Sequence, residues 1–399
     1  MEASYFSALS GMSMYKADNE HLQEAFPVTY TAMHGVGYRF IQKAFDAFGH
    51  GAASLRGTAA QLEPDPTFPT VAFPNPEEGK GALQLAIETA EEAGSTLILA
   101  NDPDADRLAV AEKTKQGTWH VFTGNELGSL LGHWSWTCWR KRNPGAVPTQ
   151  VHVVASAVSS KFLETVATTE GFQFVETLTG FKWMGSKTAE IREGGGEVIF
   201  SFEEAIGFCC GSMVKDKDGI SAAVVFTEMA KQLSKDGTSC LEHLHSLYGK
   251  YGYFLSLNSY VKSHDSCLTR RIFALQRGGD SESRSYCKAL GLKDEFKISG
   301  VRDLTIGYDT RTDDSLPLLP LNSGGEMITY YFDELEAQVT LRTSGTEPKI
   351  KFYSEMRSAG GDEVAWKSLQ NLVHAVVTTL LDPAGHGLEV RPEDNTWLV

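Results

Sequence analysis

The stretch Leu97-Ile-Leu-Ala-Asn-Asp-Pro-Asp-Ala-Asp-Arg-Leu-Ala-Val110 places three carboxylates at alternate positions between two short apolar runs. The runs at 97–100 and 108–111 are typical of buried strands, so the acidic turn between them is predicted to sit on rigid elements. Pro103 restricts the turn, and in an extended conformation the three side chains can converge on one hard cation. These side chains are Asp102, Asp104 and Asp106.

Three carboxylates in one turn require a compensating positive charge. Two unit charges about 4 Å apart repel by roughly 4 kcal/mol at an effective dielectric of about 20. Oxygen ligands that leave coordination positions open suit Mg²⁺ shared with a phosphate, which Arg107 would also face. An arbitrary acidic repeat is more often a solvated turn, but the apolar flanks and the adjacent arginine favour a metal site here. An EF-hand loop is rejected, because it needs Gly and Glu where this chain has Arg107 and Lys113.

Composition limits the classes of protein that the chain can belong to. Its 399 residues are 42% hydrophobic and 22% charged, which is ordinary for a soluble protein of several domains. The net charge of -15 opposes nonspecific binding to nucleic acid or to an anionic membrane, so an anionic substrate must be held by a local cluster of positive charge. Neither a signal peptide nor a run of 18 apolar residues is present, and a cytoplasmic protein is expected. The six cysteines lack metal-ligand spacing and are interpreted as free thiols, with Cys209 and Cys210 as packing residues.

Strands alternate with helices from residue 27 to about residue 251, which predicts α/β layers with parallel strands. A segment rich in proline and glycine, 143–148, marks the first domain boundary, and Tyr251-Gly252 marks the second. Beyond it, a run of strands followed by a long helix at 364–381 predicts a smaller α+β domain. The predicted divisions are an N-terminal remnant or linker at 1–26 and domains at 27–148, 149–251 and 252–399.

A second candidate site is Leu341-Arg-Thr-Ser-Gly-Thr-Glu-Pro-Lys-Ile350, a turn that combines cations, hydroxyl groups and a glycine. Such a loop can offer side-chain and backbone donors to a phosphate together. A plain hairpin turn would explain Ser-Gly-Thr but not the flanking Arg342 and Lys349.

Two further segments follow predicted strands of the middle domain, Thr179-Gly-Phe-Lys-Trp-Met-Gly185 and Phe202-Glu-Glu-Ala-Ile-Gly207. Acidic side chains bind sugar hydroxyls and an aromatic ring can cover a sugar face. Taken alone, Glu203-Glu204 is more often a solvated pair, and Lys182-Trp183 an exposed helix start. His34 could transfer a proton or contact phosphate, but a structural histidine at a turn is at least as plausible.

In combination these segments resemble the α-D-phosphohexomutase superfamily. The matching segments, in chain order, are Asn101-Asp-Pro-Asp-Ala-Asp-Arg107, Gly180-Phe-Lys-Trp-Met184, Phe202-Glu-Glu-Ala-Ile-Gly207 and Arg342-Thr-Ser-Gly-Thr-Glu-Pro-Lys349. Two more segments make the chain most similar to the branch of phosphopentomutase, phosphoglucomutase-2 and glucose-1,6-bisphosphate synthase. These are Thr31-Ala-Met-His-Gly-Val-Gly37 and Asn75-Pro-Glu-Glu-Gly-Lys80.

The resemblance implies two mixed α/β sandwich-type domains followed by a smaller α+β C-terminal domain. It implies a phosphosugar mutase of carbohydrate metabolism that interconverts a sugar 1-phosphate with a 5- or 6-phosphate, with Mg²⁺ as cofactor and a sugar bisphosphate as primer and intermediate. The substrates would be phosphorylated pentoses or hexoses. The domains 27–148, 149–251 and 252–399 would bind metal, sugar and phosphate, respectively.

The resemblance also assigns roles to individual residues. The metal ligands would be Asp102, Asp104 and Asp106, with Arg107 at the reactive phosphate and His34 as a further catalytic candidate. Sugar recognition would use Lys182, Trp183, Glu203 and Glu204, and the phosphate not being transferred would be bound by Arg342, Ser344, Gly345, Thr346 and Lys349.

One departure from the family pattern is important. Family members begin with another α/β domain, in which a Thr-x-Ser-His-Asn-Pro loop carries the serine that is phosphorylated, and no Ser-His-Asn occurs in this sequence. The chain alone is therefore expected to bind phosphosugar weakly and to lack mutase turnover, and its last domain is expected to hinge near 251–254.

Two other functions stay open from the sequence. A noncatalytic phosphosugar-binding or regulatory protein could keep the same ligand loops. An aspartyl-phosphate phosphatase is less compatible, because Asp106 stands where that chemistry needs threonine or valine. Preference for pentose or hexose, mutase or bisphosphate synthase activity, and oligomeric state are not determined by the sequence.

Overall fold

The computed structural model describes residues 1–76, 80–279, 285–291, 294–322, 324–345, 347–361, 363–391 and 394. The chain divides into two compact units, Met1–Tyr251 and Gly252–Val399, and each is described by itself. Among the described residues, no helix has the length and apolar character needed to cross a membrane.

The first unit is an α/β structure. Its helices are α1 (Glu2–Met12), α2 (Lys16–His21), α3 (Tyr38–Phe48), α4 (Lys80–Ala93), α5 (Gly124–Arg142), α6 (Phe162–Glu170), α7 (Phe181–Glu193), α8 (Gly219–Lys235) and α9 (Cys240–Tyr251). Its strands are β1 (Val28–Thr31), β2 (Leu55–Gly57), β3 (Leu97–Ala100), β4 (Ala109–Lys113), β5 (Trp119–Val121), β6 (Val151–Ser156), β7 (Gln173–Thr177), β8 (Glu197–Glu203) and β9 (Gly207–Cys210).

Two mixed sheets organise this unit. The first has the order β2-β1-β3-β4-β5. In it β1 is parallel to both β2 and β3, whereas β4 is antiparallel to both β3 and β5. The second has the order β7-β6-β8-β9, with only β9 antiparallel. Because β1 and β3 are parallel, the turn after β1 and the acidic loop after β3 leave the same edge of the sheet. These sheets and their helices confirm the predicted α/β class.

The strands that flank the acidic loop form a hairpin. All four residues of β3 are buried, as expected for a central strand covered on both faces. Ala100 pairs with Ala109, so the loop 101–108 closes the hairpin between β3 and β4. A capping box between Thr123 and Glu126 begins α5, as the sequence predicts.

The N-terminal segment is folded onto the first unit. Residues 1–26, predicted as a remnant or linker, contain α1 and α2, and α1 packs against α3. Glu228 of α8 accepts hydrogen bonds from the Ser13 hydroxyl at 2.6 Å and from the Tyr15 amide at 3.0 Å. Its carboxylate therefore holds the turn between α1 and α2.

Two elements carry or follow the predicted sugar segments of the middle domain. Helix α7 begins at Phe181, so Lys182 and Trp183 lie in its first turn, and Phe181, Met184 and Thr188 are buried along one face. Strand β9 begins at Gly207, the last residue of the second segment, and its four residues are buried. Cys209 and Cys210 lie in this strand as buried free thiols, which agrees with their predicted packing role.

The second unit is an antiparallel α+β structure. Its helices are α10 (Ser266–Gln276), α11 (Glu363–Val376), which continues into a π-helical turn (Val377–Leu381), and α12 (Pro383–His386). Its strands are β10 (Tyr253–Ser256), β11 (Ser259–Lys262), β12 (Ala289–Leu290), β13 (Phe296–Lys297), β14 (Gly300–Asp303), β15 (Tyr308–Asp309), β16 (Met327–Phe332), β17 (Ala337–Thr343), β18 (Lys349–Ser358) and β19 (Glu389–Val390).

One large sheet dominates the second unit. Its order is β15-β14-β16-β17-β18-β11-β19, and β10 also pairs with β18. Side chains of the sheet form one apolar core with α10 and α11, including Phe273, Tyr330, Phe352 and Leu372. The turn between β17 and β18 carries the predicted phosphate loop, so two long paired strands support it.

Candidate functional site

The acidic loop brings its three carboxylates together. One oxygen from each of Asp102, Asp104 and Asp106 lies within 4.8 Å of the others. Asp102 is buried at 5% exposure, Asp106 is half-buried and Asp104 is exposed, so the cluster opens to solvent on one side. Three hard oxygen donors with an open side fit Mg²⁺.

The electrostatics of the cluster favour a bound cation. The pKa of Asp102 is raised to about 7, mainly by burial and also by the neighbouring charges of Asp104 and Asp106, while the hydrogen bond from the Arg107 amide opposes the shift. A divalent cation at this position would favour the ionised carboxylate instead.

Asn101 fixes the loop from inside. Its side-chain oxygen accepts a hydrogen bond from the Tyr30 hydroxyl at 2.9 Å, and its side-chain nitrogen donates to the Arg107 carbonyl at 2.5 Å. The Arg107 amide donates to Oδ1 of Asp102 at 2.9 Å. Ala105 has φ 61°, a left-handed conformation that such a tight turn imposes on a non-glycine residue. The loop geometry is therefore determined by buried contacts as well as by its own sequence.

Two glycines allow other segments to approach the loop backbone closely. A Cβ on Gly35 would lie 2.2 Å from Cα of Pro103, and the neighbouring Val36 amide donates to the Pro103 carbonyl at 2.9 Å. A Cβ on Gly219, at the start of α8, would lie 2.2 Å from the Arg107 carbonyl oxygen. Only a residue without Cβ fits either position without moving the acidic loop.

Replacing Gly35 by alanine should therefore destabilise the loop. We expect Gly35→Ala to lower the free energy of unfolding by about 1–3 kcal/mol, because the added methyl group meets backbone atoms that cannot rotate away. It should also weaken Mg²⁺ binding. Urea unfolding and magnesium titration calorimetry measure the two effects.

Gly249→Ala is the matched control, because a Cβ on Gly249 of α9 would meet nothing within 4 Å. Its free energy of unfolding should be unchanged or higher by up to about 0.5–1 kcal/mol, since alanine is the better helix former. Equal urea midpoints for Gly35→Ala and the unsubstituted chain would contradict the expected clash.

Arg107 joins the acidic loop to the segment 203–207. It forms an isolated β-bridge with Gly207, and the next amide, of Leu108, donates to the Ile206 carbonyl at 3.0 Å. Nη1 of Arg107 lies 3.9 Å from Oδ2 of Asp102, and the side chain is 35% exposed. The structure thus places a partly exposed guanidinium beside Asp102, on a backbone segment that pairs with one predicted sugar segment.

Lys217 is a residue of this site that the sequence prediction missed. Its Nζ lies 2.7 Å from Oδ2 of Asp106 and 5.9 Å from the ring centroid of Phe181. Burial opposes its charge, but the ion pair with Asp106 prevails and raises the pKa of Lys217. The available signal was the charged run Lys215-Asp-Lys-Asp-Gly219, in which Asp218 caps α8.

The two predicted sugar segments meet in the first unit. Lys182 is exposed and Trp183 half-buried in the first turn of α7, and Glu203 ends β8. The Glu203 carboxylate accepts a short hydrogen bond from the amide of Gly180, which precedes α7. This bond brings the lysine, the aromatic ring and the carboxylate to one region.

Glu204 belongs to a buried hydroxyl network. Its Oε2 accepts hydrogen bonds from the hydroxyls of Ser156 at 3.1 Å and Ser159 at 3.2 Å. A Cβ on Gly124 would lie 1.8 Å from the Glu204 carbonyl oxygen, so the start of α5 packs directly on this backbone. The position of Glu204 is therefore fixed from both sides.

His34 lies in the turn after β1 and is 4% exposed. Its Nε2 is 2.7 Å from the Thr70 hydroxyl, and its amide donates to the Gln61 carbonyl at 3.0 Å. His34 and Met33 have φ 60° and 47°, so this turn is held in an unusual conformation by its contacts. These contacts favour the structural alternative for His34.

In the second unit, the predicted phosphate loop borders a cavity of about 520 Å³. Ser344 and Lys349 line it, and Nζ of Lys349 lies 2.7 Å from Oε1 of Glu347 and 4.1 Å from the ring centroid of Tyr260. Thr346 lies outside the described residues. Arg342 lies opposite Lys351 in the ladder between β17 and β18. It is not among the described residues that line this cavity.

Gly345 leaves space at the tip of the same turn. A Cβ on it would meet none of the described residues within 4 Å, in contrast to Gly325 in the cavity wall, whose Cβ would lie 2.2 Å from the Thr343 hydroxyl. The backbone at Gly345 is thus accessible to a ligand from outside.

Comparison with known proteins shows which family the chain resembles over most of its length. Residues 3–117 match phosphoglucomutase/phosphomannomutase alpha/beta/alpha domain II, and residues 123–251 match domain III of the same family. Human phosphopentomutase is 42% identical over 393 residues, which cover 98% of this chain and 63% of that protein. Human glucose 1,6-bisphosphate synthase is 42% identical over 388 residues, 96% of this chain and 61% of that protein.

Among solved structures, Paramecium parafusin (phosphoglucomutase) matches with a TM-score of 0.66 at 18% identity, over 96% of this chain and 62% of that one. This likeness shows a common fold. The chain spans less than two thirds of the length of each of these relatives.

Proposed function

This chain belongs to the phosphoglucomutase/phosphomannomutase family, and from this membership we propose that it serves phosphosugar mutase chemistry. The reaction moves a phosphoryl group between the 1-position and the 5- or 6-position of a sugar. The proposal rests on one cluster of charged groups. Three carboxylates lie together, Lys217 forms an ion pair with one of them, and the backbone of Arg107 pairs with the segment 203–207. A binding role for a phosphorylated pentose or hexose follows from the same groups.

The acidic loop is proposed as the Mg²⁺ site. Asp102, Asp104 and Asp106 would hold the ion, and their spacing and open side are compatible with it. When bound, Mg²⁺ neutralises charge on the phosphoryl oxygens.

Arg107 and Lys217 are proposed to bind the reactive phosphate. Phosphoryl transfer depends mainly on positioning and charge stabilisation, which preorganised cations supply. Arg107 has a planar group for two phosphate oxygens, and Asp106 keeps Lys217 protonated beside the carboxylate cluster. For His34 we propose a positioning role, because its turn packs on Pro103 through Gly35.

Lys182, Trp183, Glu203 and Glu204 are proposed to recognise the sugar. Trp183 offers a partly exposed ring, and the carboxylate at the end of β8 offers acceptors for hydroxyl groups. In the second unit, Arg342, Ser344, Gly345, Thr346 and Lys349 are proposed to bind the phosphate that is not transferred. A sugar bisphosphate would then be the intermediate.

Titration calorimetry with glucose 1-phosphate, ribose 1-phosphate and glucose 1,6-bisphosphate tests the proposal. We expect saturable binding of phosphorylated sugars that is stronger with Mg²⁺ than with EDTA, and no binding of glucose or ribose. Phosphorus NMR of the same mixtures, with the bisphosphate as primer, shows whether one monophosphate converts to the other. Absence of binding by all three phosphosugars in Mg²⁺ would refute the proposal.

A further inference from the structure

Several segments line the cavity of the second unit, and two of them form walls that carry a cationic side chain. One is the turn between β17 and β18, with Ser344 and Lys349, and the other is the start of α10, with Ser266 and Arg270. The second wall belongs to none of the motifs that the sequence singles out. Arg270 is the arginine of this second wall.

Apart from Arg270, the lysine and the two glutamates that line the cavity are already paired within the protein. Lys349 is paired with Glu347 at 2.7 Å, so the turn itself offers little net positive charge. Glu326 also lines the cavity, and its Oε2 accepts a hydrogen bond from Nη2 of Arg277 at 2.5 Å. A phosphate carries up to two negative charges and therefore needs a further cation.

Arg270 meets that need. Its side chain is exposed, and its Nη2 donates a weak hydrogen bond to Sγ of Cys267 at 3.4 Å. Within the part of the chain that the structure describes, no carboxylate lies within ion-pair distance of it. It is thus a cavity-lining cation whose charge is not already matched by the protein.

The backbone amides at the start of α10 do not offer an alternative anion site. Oδ1 of Asp265 accepts hydrogen bonds from the amides of Cys267 at 2.7 Å and Leu268 at 3.2 Å. His264 lies 3.7 Å from Oε1 of Glu389, so this ring also faces a carboxylate. The guanidinium is left as the main source of positive charge on this wall.

We propose that Arg270 binds the phosphate of the sugar phosphate that Ser344 and Lys349 bind, and so completes this phosphate site from the start of α10. The inference rests on the proposed phosphosugar function. A guanidinium can donate two parallel hydrogen bonds to phosphate oxygens, which fixes orientation as well as adding charge. The cavity of about 520 Å³ has room for a phosphate and part of a sugar between the two walls.

Arg270→Gln is the direct test, with Arg271→Gln as the matched control. Arg271 is the next residue of α10 and is also exposed, but it does not line the cavity. In calorimetry with glucose 1,6-bisphosphate and Mg²⁺, we expect Arg270→Gln to weaken binding by about 10- to 100-fold, the range for loss of a charge-assisted pair. Arg271→Gln should bind as the unsubstituted chain does.

Two further measurements separate ligand binding from general damage. Arg270→Lys should recover part of the affinity, because lysine keeps the charge but not the planar fork. The thermal unfolding midpoint and the Mg²⁺ affinity without sugar should be the same in all variants.

The possible outcomes are distinct. If the unsubstituted chain binds the bisphosphate and Arg270→Gln binds it equally well, the role of Arg270 is wrong and the proposed function stands. If Arg270→Gln and Arg271→Gln lose the same affinity for the bisphosphate, the loss reflects the lower positive charge of the unit in general. This result would also refute the specific role of Arg270. If the unsubstituted chain binds none of the phosphosugars, the proposed function fails, and this inference fails with it.

Discussion

Replacing Asp104 by asparagine should weaken Mg²⁺ binding by about 10- to 100-fold, because affinity for a hard cation depends on the number of charged oxygen ligands. Asp104 is the exposed member of the cluster, so its replacement removes a charge without disturbing the buried contacts of Asp102. The amide keeps the size of the side chain. Magnesium titration calorimetry, or competition with Mn²⁺ followed by electron paramagnetic resonance, measures the change.

The same substitution has a second consequence for Asp102. The charge of Asp104 helps to raise the pKa of Asp102, so its removal should lower that pKa. Asp236→Asn, at the exposed C-terminal end of α8, serves as the control and should leave Mg²⁺ affinity unchanged. If Asp104→Asn binds Mg²⁺ as tightly as the control does, the acidic loop is not the metal site.

The second large effect is expected at Glu228, whose side chain is buried at 2% exposure. Its carboxylate accepts hydrogen bonds from the Ser13 hydroxyl, the amides of Met14 and Tyr15, and Nδ2 of Asn19. Glu228→Gln replaces one acceptor by a donor in a pocket of donors. We expect a loss of about 2–4 kcal/mol in the free energy of unfolding, because several buried donors lose their partner.

Hydrogen exchange locates this effect. The amides of Met14 and Tyr15 should exchange faster in Glu228→Gln, whereas the buried strands of the first sheet should be affected only through global unfolding. Glu92→Gln, at an exposed position of α4, should leave both stability and exchange unchanged. If the amides of Met14 and Tyr15 exchange as slowly in Glu228→Gln as in the unsubstituted chain, contacts other than Glu228 hold the N-terminal helices.

The acidic loop could be recognised in the sequence because its carboxylates and its flanking strands are close together along the chain. The apolar runs around it become β3 and the start of β4, and the alternate spacing of the carboxylates allows them to converge once the surrounding contacts fix the loop. The same holds for the capping box at Thr123 and for the turn between β17 and β18, which lies between two strands with clear alternation.

The parts that sequence did not predict depend on distant contacts. Lys217 reaches Asp106 only after the segment before α8 packs on the acidic loop, and Glu228 holds residues that lie more than 200 positions earlier in the chain.

The close approach of Gly35 and Gly219 to the acidic loop has a consequence for transplanting this site into another protein. Three contacts that hold the loop come from outside the hairpin of β3 and β4. They are the hydrogen bond from the Tyr30 hydroxyl to Asn101, the hydrogen bond from the Val36 amide to Pro103, and the packing of Gly219 of α8 against Arg107. A peptide of residues 97–110, or the same loop grafted onto a foreign hairpin, would keep its three carboxylates but lose the surroundings that bring them together. The smallest portable form of this proposed metal site therefore includes the turn after β1 and the beginning of α8.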